Sequence, residues 1–413
     1  MHVKTKAAAA KSAASEMGRA SAQQKNTALE LLIKNVKSEQ DTILEANCQD
    51  IELAKELKPA LLERLSLENR LNGILCDIEK VIQLDDPVGI VEEERVLPNH
   101  LHLAKYRVPI GVLGVIYESR PNVTLDICAL AIKSGNCALL RGGSETLHTN
   151  GALIACIQRA LAAAGLPEQA LQLIATGERS EVKEMLQLHE YIDLIIPRGS
   201  AQLQQFCRTH STIPVIMGGS GICHLFVDAS ADLQQALCVI VNAKTQRPTV
   251  CNALDTLLLH AAIAPSFLRQ VVEALSCEGV HFRVDDLSQK MLQDFPCQRA
   301  EAQDWDREWL SLVLGIKVVK DVHKAIAHIR KHSTGHSDGI LTECRDTADH
   351  FIRAIDSAVV YVNASTRFTD GGQFGMGAEV AISTQKLHAR GPMGLRELTS
   401  YKWVVRGNYH VRS

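Results

Sequence analysis

The sequence has no C-x-x-C pair, no G-x-G-x-x-G turn, no G-x-x-x-x-G-K-[ST] loop and no H-E-x-x-H segment. The first absence removes zinc-ribbon and thioredoxin-type sites. The other three remove a plain Rossmann dehydrogenase, a P-loop enzyme and a zincin. Neither sign of charge dominates: Lys plus Arg is 44 and Asp plus Glu is 47, a net −3. A general nucleic-acid binder would need a basic excess. The longest uncharged stretch, Thr209 to Val227, is broken by Pro214, Gly218, Gly219 and Gly221, so it reads as strand, turn and strand rather than a membrane span. The N-terminal MHVKTKAAAAKSAASEMGRASAQQ is Ala-rich but interrupted by Lys, Glu and Arg. It lacks the apolar run of a signal peptide and reads as an amphipathic helix. The expectation is a soluble cytoplasmic protein with no membrane and no nucleic-acid partner.

What is present is a chain of 413 residues, 46% hydrophobic. That is enough to bury large cores and to divide into two or more domains. Twelve cysteines are spread along it, the closest pair being Cys128 and Cys137. With no signal peptide, these read as reduced thiols, mostly small buried apolar residues.

Residues 1–80 are rich in Ala, Leu, Glu, Lys and Gln and read as helices, with Leu29, Leu32, Ile33 and Val36 at helical spacing. Between 86 and 110, prolines punctuate short alternating runs that read as strands. From residue 109, strands alternate with helices: IGVLGVIYE, TLDICALAIKSGN, CALLRGG, GALIACIQRALAAAGLP, ALQLIAT, EVKEMLQL, YIDLIIPRGS and AQLQQFCRTH. This rhythm predicts a parallel sheet covered on both faces, with ligands at the carboxyl ends of the strands. A second α/β region is predicted over 247–365. There is no internal repeat and no low-complexity linker.

Two Gly-containing turns follow strands and precede helices: Arg141-Gly142-Gly143-Ser144 and Pro197-Arg198-Gly199-Ser200. Such helix starts offer N–H groups to phosphate, although most turns of this kind are only turns. Cys251, in NAKTQRPTVCNALDTLLLH, follows a turn carrying Lys244 and Arg247 and precedes a strand. Those cations can favour its thiolate; the alternative is one more buried cysteine. His328, His332 and His336 recur every four residues, a spacing that resembles a one-face metal site. Ser333, Thr334 and Gly335 instead predict that the helix ends after His332, so no metal is expected.

Five segments in order, VPIGVLGVIYESRPN, KSGNCALLRGG, NAKTQRPTVCN, AIAHIRKHSTGHSDGI and RFTDGGQFGMGAEVAIS, resemble the gamma-glutamyl phosphate reductases. These are glutamate-5-semialdehyde dehydrogenases of the aldehyde dehydrogenase superfamily. The resemblance covers nearly the whole chain. It implies reduction of L-glutamate 5-phosphate by NADPH to L-glutamate 5-semialdehyde and phosphate, with NADPH/NADP+ as cofactor, the second step from glutamate to proline. Cys251 matches the nucleophile that forms a thioester. The oxyanion donors implied are the Cys251 N–H and a side chain of the Glu118–Asn122 loop, where Arg120 and Asn122 compete; Arg120 alternatively meets the leaving phosphate. Glu308 matches the residue holding the nicotinamide ribose. Arg141, Gly142, Gly143 and Ser144 stand where the superfamily contacts the adenosine ribose, and Arg141 suits a 2′-phosphate. Arg198, Gly199 and Ser200 match the turn near the cofactor phosphates. Ile216 stands where hydrolytic relatives carry the Glu that activates water, a loss that protects the thioester.

Ser333 to Asp338 is expected as a loop near the cleft, with Ser333, His336 and Ser337 as substrate contacts and His328 structural. Asn363 and Arg367 are expected to meet the α-carboxylate or amine, and Gly371 to Gly377 to cover the site. The resemblance implies an α/β, aldehyde-dehydrogenase-like fold. An NADP-binding parallel-sheet domain takes 1–246 with a return at 379–399. An α/β catalytic domain takes 247–378. An oligomerisation flap takes 94–108 and 400–413. A homo-oligomer and a glutamate 5-kinase partner follow from the same resemblance. The rival readings are a CoA-acylating aldehyde dehydrogenase and a catalytically silent scaffold of the same fold. Of the cysteines, Cys251 is expected to be reactive and the other eleven to be packing residues; Cys223, after the Gly turn, is the one to recheck.

Overall fold

The computed structural model describes residues 3–57, 59–175 and 178–412. The helical reading of 1–80 at residues 1, 2 and 58, the strand reading at 176 and the outer domain limits 1 and 413 lie outside them. The chain divides into two compact units: Met1–Gly218 with Gly375–Ala381 and Met393–Ser413, and Gly219–Phe374 with Ile382–Pro392.

The first unit begins with helices α1 (Val3–Met17), α2 (Ala22–Ser38), α3 (Gln40–Leu53), α4 (Pro59–Leu65) and α5 (Leu71–Gln83). Ser21 starts α2 with a capping box closed by Gln24, which satisfies two N–H groups the helix cannot. The predicted stripe Leu29, Leu32, Ile33 and Val36 is buried. Strands β1 (Val91–Val96) and β2 (His102–Pro109) follow, then β3 (Val112–Tyr117), α6 (Asn122–Lys133), β4 (Cys137–Arg141), α7 (Leu147–Ala163), β5 (Leu171–Leu173), α8 (Arg179–Met185), β6 (Leu194–Arg198) and α9 (Ala201–His210). Strands β5-β4-β3-β6 form an all-parallel sheet. Every residue of VLGVIY and CALLR is buried, the unbroken apolar run of a strand covered on both faces. Gly135 and Gly165, at φ +71° and +69°, end α6 and α7 as C-terminal glycines do.

The second unit holds β7 (Cys223–Val227), α10 (Leu233–Thr245), β8 (Leu254–His260), α11 (Ala264–Cys277), β9 (His281–Val284), α12 (Asp286–Met291), β10 (Gln298–Arg299), β11 (Val313–Val319), α13 (Val322–His332), β12 (Ser337–Leu341), α14 (Arg345–Ala354) and β13 (Val359–Val362), then the short pair β14 (Ile382–Ser383) and β15 (Gly391–Pro392). Seven strands in the order β10-β9-β11-β8-β7-β12-β13 form a second parallel sheet. Leu225, Leu257, Phe267, Val271 and Ile316 are among the residues of its main core, all fully buried. Strand β16 (Thr399–Arg406) belongs to the first unit and pairs antiparallel with β2, giving a three-stranded sheet β1-β2-β16.

Four expectations need correction. The divide falls after Gly218, not 246, because β7 is flanked by β8 and β12 of the second sheet. The C-terminal return is likewise split, with 382–392 in the second unit. The expected loop Ser333–Asp338 is loop only to His336: Ser337 opens β12, held on both sides by β7 and β13. Not all eleven other cysteines are packing residues. Cys48, Cys76, Cys238 and Cys277 are exposed on helices. On α3, Cys48 follows the buried Asn47, and a single step of about 100° turns a helical residue off its stripe.

Phe267 is fully buried on α11. Phe267→Ala is expected to destabilise the second unit by about 3–5 kcal/mol, by the lost transfer energy and the cavity left behind. Urea unfolding of the two proteins measures it.

Candidate active site

Cys251 lies in the short connection between α10 and β8, half-buried. Its main chain is located by a close approach. A Cβ on Gly221 would stand 1.5 Å from the Cys251 carbonyl oxygen and 2.6 Å from its carbon, so only glycine fits at 221. The Gly221 N–H donates to Glu308 Oε1 at 2.9 Å. The Cys223 thiol donates to the Cys251 carbonyl at 3.2 Å. Thus Gly221 and Cys223 both meet the Cys251 carbonyl, and Glu308 is held one step away by the Gly221 N–H. Burial raises the Glu308 carboxyl above its ordinary value, opposed by the Gly221 N–H.

A second layer supports the first. Asp255 accepts from the N–H of Trp309 at 3.0 Å and of Cys223 at 3.5 Å, tying the neighbours of Glu308 and Cys251 to one carboxylate. Lys244 is fully buried; it donates to the Leu254 carbonyl at 2.9 Å and lies 4.0 Å from Asp255. Burial pulls Lys244 down and Asp255 up, and their mutual attraction opposes both shifts. Lys244 is therefore engaged beneath the strand, and Arg247 is the exposed cation of this turn.

On the other side, Asn252 Nδ2 donates to the carbonyls of Arg367 at 3.3 Å and Thr369 at 2.9 Å, and Thr366 Oγ1 donates to the Asn252 carbonyl at 2.7 Å. Arg367 Nε donates to Gln246 Oε1 at 2.8 Å. Sequence reasoning missed Gly221, Cys223's bond, Asp255, Asn252 and Gln246. Only the glycine-dense 218–221 stretch hinted at one of them.

The expected substrate contacts separate. His336 and Ser337 are fully buried. His336 Nδ1 pairs with Ser337 Oγ at 2.8 Å, and Ser337 Oγ with Thr369 Oγ1 at 2.7 Å. Ser333 Oγ donates to Asp338 Oδ2 at 2.6 Å and accepts from Gly335 N at 2.9 Å. Asn363 is exposed at φ +53°, and its amide holds both the N–H and the carbonyl of Thr342. Ser333, Ser337 and Asn363 have their side-chain polar groups engaged within the fold, while His336 Nε2 is buried with no hydrogen-bond partner among the described residues. Arg367 remains beside the Cys251 segment.

His328 packs edge-on against His224 and Trp305, and His332 Nδ1 lies 2.7 Å from Asp306 Oδ1. Burial pushes His328 down to about 2 and His336 to about 4. Among the described residues no group of His, Cys, Asp and Glu is arranged to hold a metal.

In the first unit, the two Gly turns close β4 and β6. Arg141 is buried, with Nη2 3.4 Å from the Glu178 carbonyl. A hydrogen-bonded chain runs from Tyr117 Oη through Thr124, Asn150 and Thr146 to the Gly143 carbonyl, each link 2.6–2.8 Å. It fixes the 141–144 turn from the neighbouring strand. Glu145 turns its carboxylate to the N–H and hydroxyl of Ser119 at 2.7 and 2.6 Å. At the other turn, Ser200 caps α9 and its N–H donates to Glu118 Oε2 at 2.7 Å. That helix start already holds an anion, which sequence reasoning did not foresee. Asn122 donates to Asp126 Oδ2 at 3.0 Å, and burial lifts Asp126 to about 6. Arg120 is partly buried in the loop before α6, and Ile216 is buried.

The fold and these turns define an aldehyde-dehydrogenase-like protein, and the profile described as the aldehyde dehydrogenase family matches residues 1–285. Gamma-glutamyl phosphate reductase from Psychromonas ingrahamii is 54% identical over 406 residues, covering 98% of each chain. The same-named protein of Photobacterium profundum is 52% identical over 409 residues, again 98% of each. A crystal structure of gamma-glutamyl phosphate reductase from Thermotoga maritima superposes with a TM-score of 0.98 at 48% identity, covering 100% of both chains. The chain belongs to the gamma-glutamyl phosphate reductase family.

Gly221→Ala is expected to cost at least the upper part of the ~1–3 kcal/mol typical of overpacking, because the clash is with main chain. Thermal unfolding and turnover should both fall; an unchanged melting profile would show that the Cys251 segment yields. Acid is a second probe. His328 and His336 hold folded values below the ordinary 6.5, so the unfolded chain binds protons that the folded chain refuses. Stability should therefore be full above about pH 6.5 and fall below it, by about 1 kcal/mol per pH unit per ring, levelling for His336 below about 4. Urea unfolding between pH 7 and 5 should show a shallower slope in His336→Gln.

Proposed function

We propose that the chain reduces L-glutamate 5-phosphate with NADPH, releasing phosphate and L-glutamate 5-semialdehyde. The activity class is that of its family: an oxidoreductase, glutamate-5-semialdehyde dehydrogenase, in proline biosynthesis. The observation that carries the mechanism is the packing of Gly221 and Cys223 on the Cys251 carbonyl, with Glu308 held by the Gly221 N–H.

In this reading the Cys251 thiolate attacks the acyl carbon. A C–S bond forms, the C–O bond to phosphate breaks, and a thioester results. The Cys251 N–H faces the negative oxygen of the tetrahedral state, and Arg120 and Asn122 are the side-chain donors the family resemblance assigns. Asn122 would first have to release Asp126. Ile216 in place of an acid leaves that position without a base to activate water, so the thioester survives for reduction.

The first unit's turns fit an NADP-type cofactor. At Gly143 a Cβ would fill space already taken by the Glu145 carboxylate. That carboxylate is neutralised in part by the Ser119 N–H and hydroxyl, which both donate to it. Arg141, Gly142, Gly143 and Ser144 would hold the adenosine end, with Arg198 and Gly199 nearer the phosphates, and Glu308 the nicotinamide ribose. NADPH, when bound, supplies the hydride that the thioester accepts. The proposal includes cytoplasmic action, a glutamate 5-kinase that supplies the acyl phosphate, and a homo-oligomer built on the β1-β2-β16 sheet. The edge strand β16 exposes Tyr401, Trp403 and Val405, a surface that a second copy would cover.

The test runs in reverse, with pyrroline-5-carboxylate in equilibrium with the semialdehyde. NADP+ reduction should require inorganic phosphate. Cys251→Ser should lower it by on the order of 10³-fold or more while leaving NADPH binding nearly intact. Activity that requires CoA instead of phosphate would sink the assignment.

A further inference from the structure

We propose that Arg367 and Arg247 together form the subsite for the phosphoryl group of the acyl phosphate and for the inorganic phosphate that leaves. This rests on the reaction proposed above and assigns its leaving-group site.

The placement comes from two fixed attachments. The turn Thr366–Phe368 is fastened to the residue that follows the nucleophile: Asn252 bonds the carbonyls of Arg367 and Thr369 and accepts from Thr366. The same turn is capped by Ser365, whose hydroxyl accepts from the Arg367 N–H at 3.3 Å. The Arg367 guanidinium is then held through Nε by Gln246 at 2.8 Å, the chain neighbour of Arg247. Two cations are thus brought to the turn that leads into Cys251. Burial lowers the hold of Arg367 on its proton, the charge of Arg247 lowers it further, and the Cys251 sulfur opposes both. Among the described residues, neither arginine has a carboxylate within 4.0 Å; Asp370 acts on Arg367 only from further off. Two mutually repelling guanidiniums beside a nucleophile favour an anion between them, and the arginine fork matches phosphate oxygens.

The chemistry selects phosphate over the substrate's α-carboxylate. In the acyl phosphate, the phosphoryl oxygen is bonded to the carbon that the sulfur attacks, while the carboxylate lies at the far end of the carbon chain. An arginine fastened through Asn252 to the residue after Cys251, and through Gln246 to the turn before it, is on this reading placed at the phosphate end. As the C–S bond forms, the electron pair of the C–O bond departs on the phosphate oxygen, and the arginines meet charge as it grows. No electrons are exchanged with the protein. In reverse, a phosphate oxygen attacks the thioester and the sulfur leaves as thiolate.

The experiment compares wild type, Arg367→Gln, Arg367→Lys and the exposed-site variant Arg247→Gln. It uses the reverse assay with inorganic phosphate, pyrroline-5-carboxylate and NADP+, beside iodoacetamide alkylation of Cys251. Circular dichroism confirms folding, and Arg247→Gln at the surface secures a folded variant. The expected result is a rise of about tenfold or more in KM for phosphate for each Gln variant, with partial recovery in Arg367→Lys. KM for the aldehyde should stay within about twofold, while the alkylation rate should fall as the cations that favour the thiolate are removed. Two results overturn the subsite: an unchanged phosphate KM, or a loss carried by the aldehyde KM, which would place the α-carboxylate there. Wild type without phosphate-dependent activity overturns the reaction itself, a failure distinct from these.

Discussion

The structure around Cys251 depends on one close approach, the Cys251 carbonyl packed where Gly221 has no side chain. Because the two backbones touch, the Gly221 N–H is turned to Glu308 and the Cys223 thiol to the same carbonyl. A side chain at 221 would separate all three. The sheet makes the approach reproducible: β7 and β8 are hydrogen-bonded neighbours, so the residues just before each strand arrive together. Beneath them Asp255 binds the N–H groups of both Cys223 and Trp309. The carboxylate next to the β8 start therefore sets where Glu308 stands relative to Cys251, without touching either side chain. Its partner Lys244 contributes little net stability as a buried ion pair, yet removing either charge would strand the other.

Local pattern was legible and long-range pairing was not. The apolar runs in β3 and β4, the helical stripe of α2 and the glycines ending α6 and α7 follow from periodicity and φ preference, and the aldehyde-dehydrogenase-like fold rests on those together with the family motifs. The assignment of β7 to the second sheet does not follow, because an apolar five-residue run satisfies either sheet equally. Only its pairing with β8 and β12 decides, and β12 lies more than a hundred residues downstream. The same limit applies to Ser337, whose small polar neighbours read as loop until two flanking strands claim them.

At the site, the chemistry-bearing residue types were legible and their engagements were not. Glu118 fills the helix start at Ser200, Asp126 takes the Asn122 amide, and Thr342 takes Asn363. In each case a polar residue that looks available in sequence is satisfied by a partner that no spacing rule reveals. Buried polar groups are paired far more often than not, so a candidate contact is informative mainly when its partner leaves part of it over. Arg367 meets that condition: Gln246 takes one of its donors, and its fork has more to give.

Cys223 and Cys251 show how environment, rather than residue type, separates two cysteines, and it favours Cys251 as the proposed nucleophile. They share a hydrogen bond, the thiol of one donating to the carbonyl of the other. Cys223 is fully buried; desolvation, then Asp255 and Asp338, hold its thiol well above the ordinary range. It can only remain protonated, which is the form that donates. Cys251 is half-exposed and feels the charge of Arg367. Thiolate chemistry needs access and a nearby cation, and one of the two has both. The neighbour's inability to ionise is itself useful, since a thiolate at 223 could not donate to the Cys251 carbonyl and would repel a thiolate at 251. The buried cysteine thus holds the main chain of Cys251 by the same desolvation that keeps it protonated.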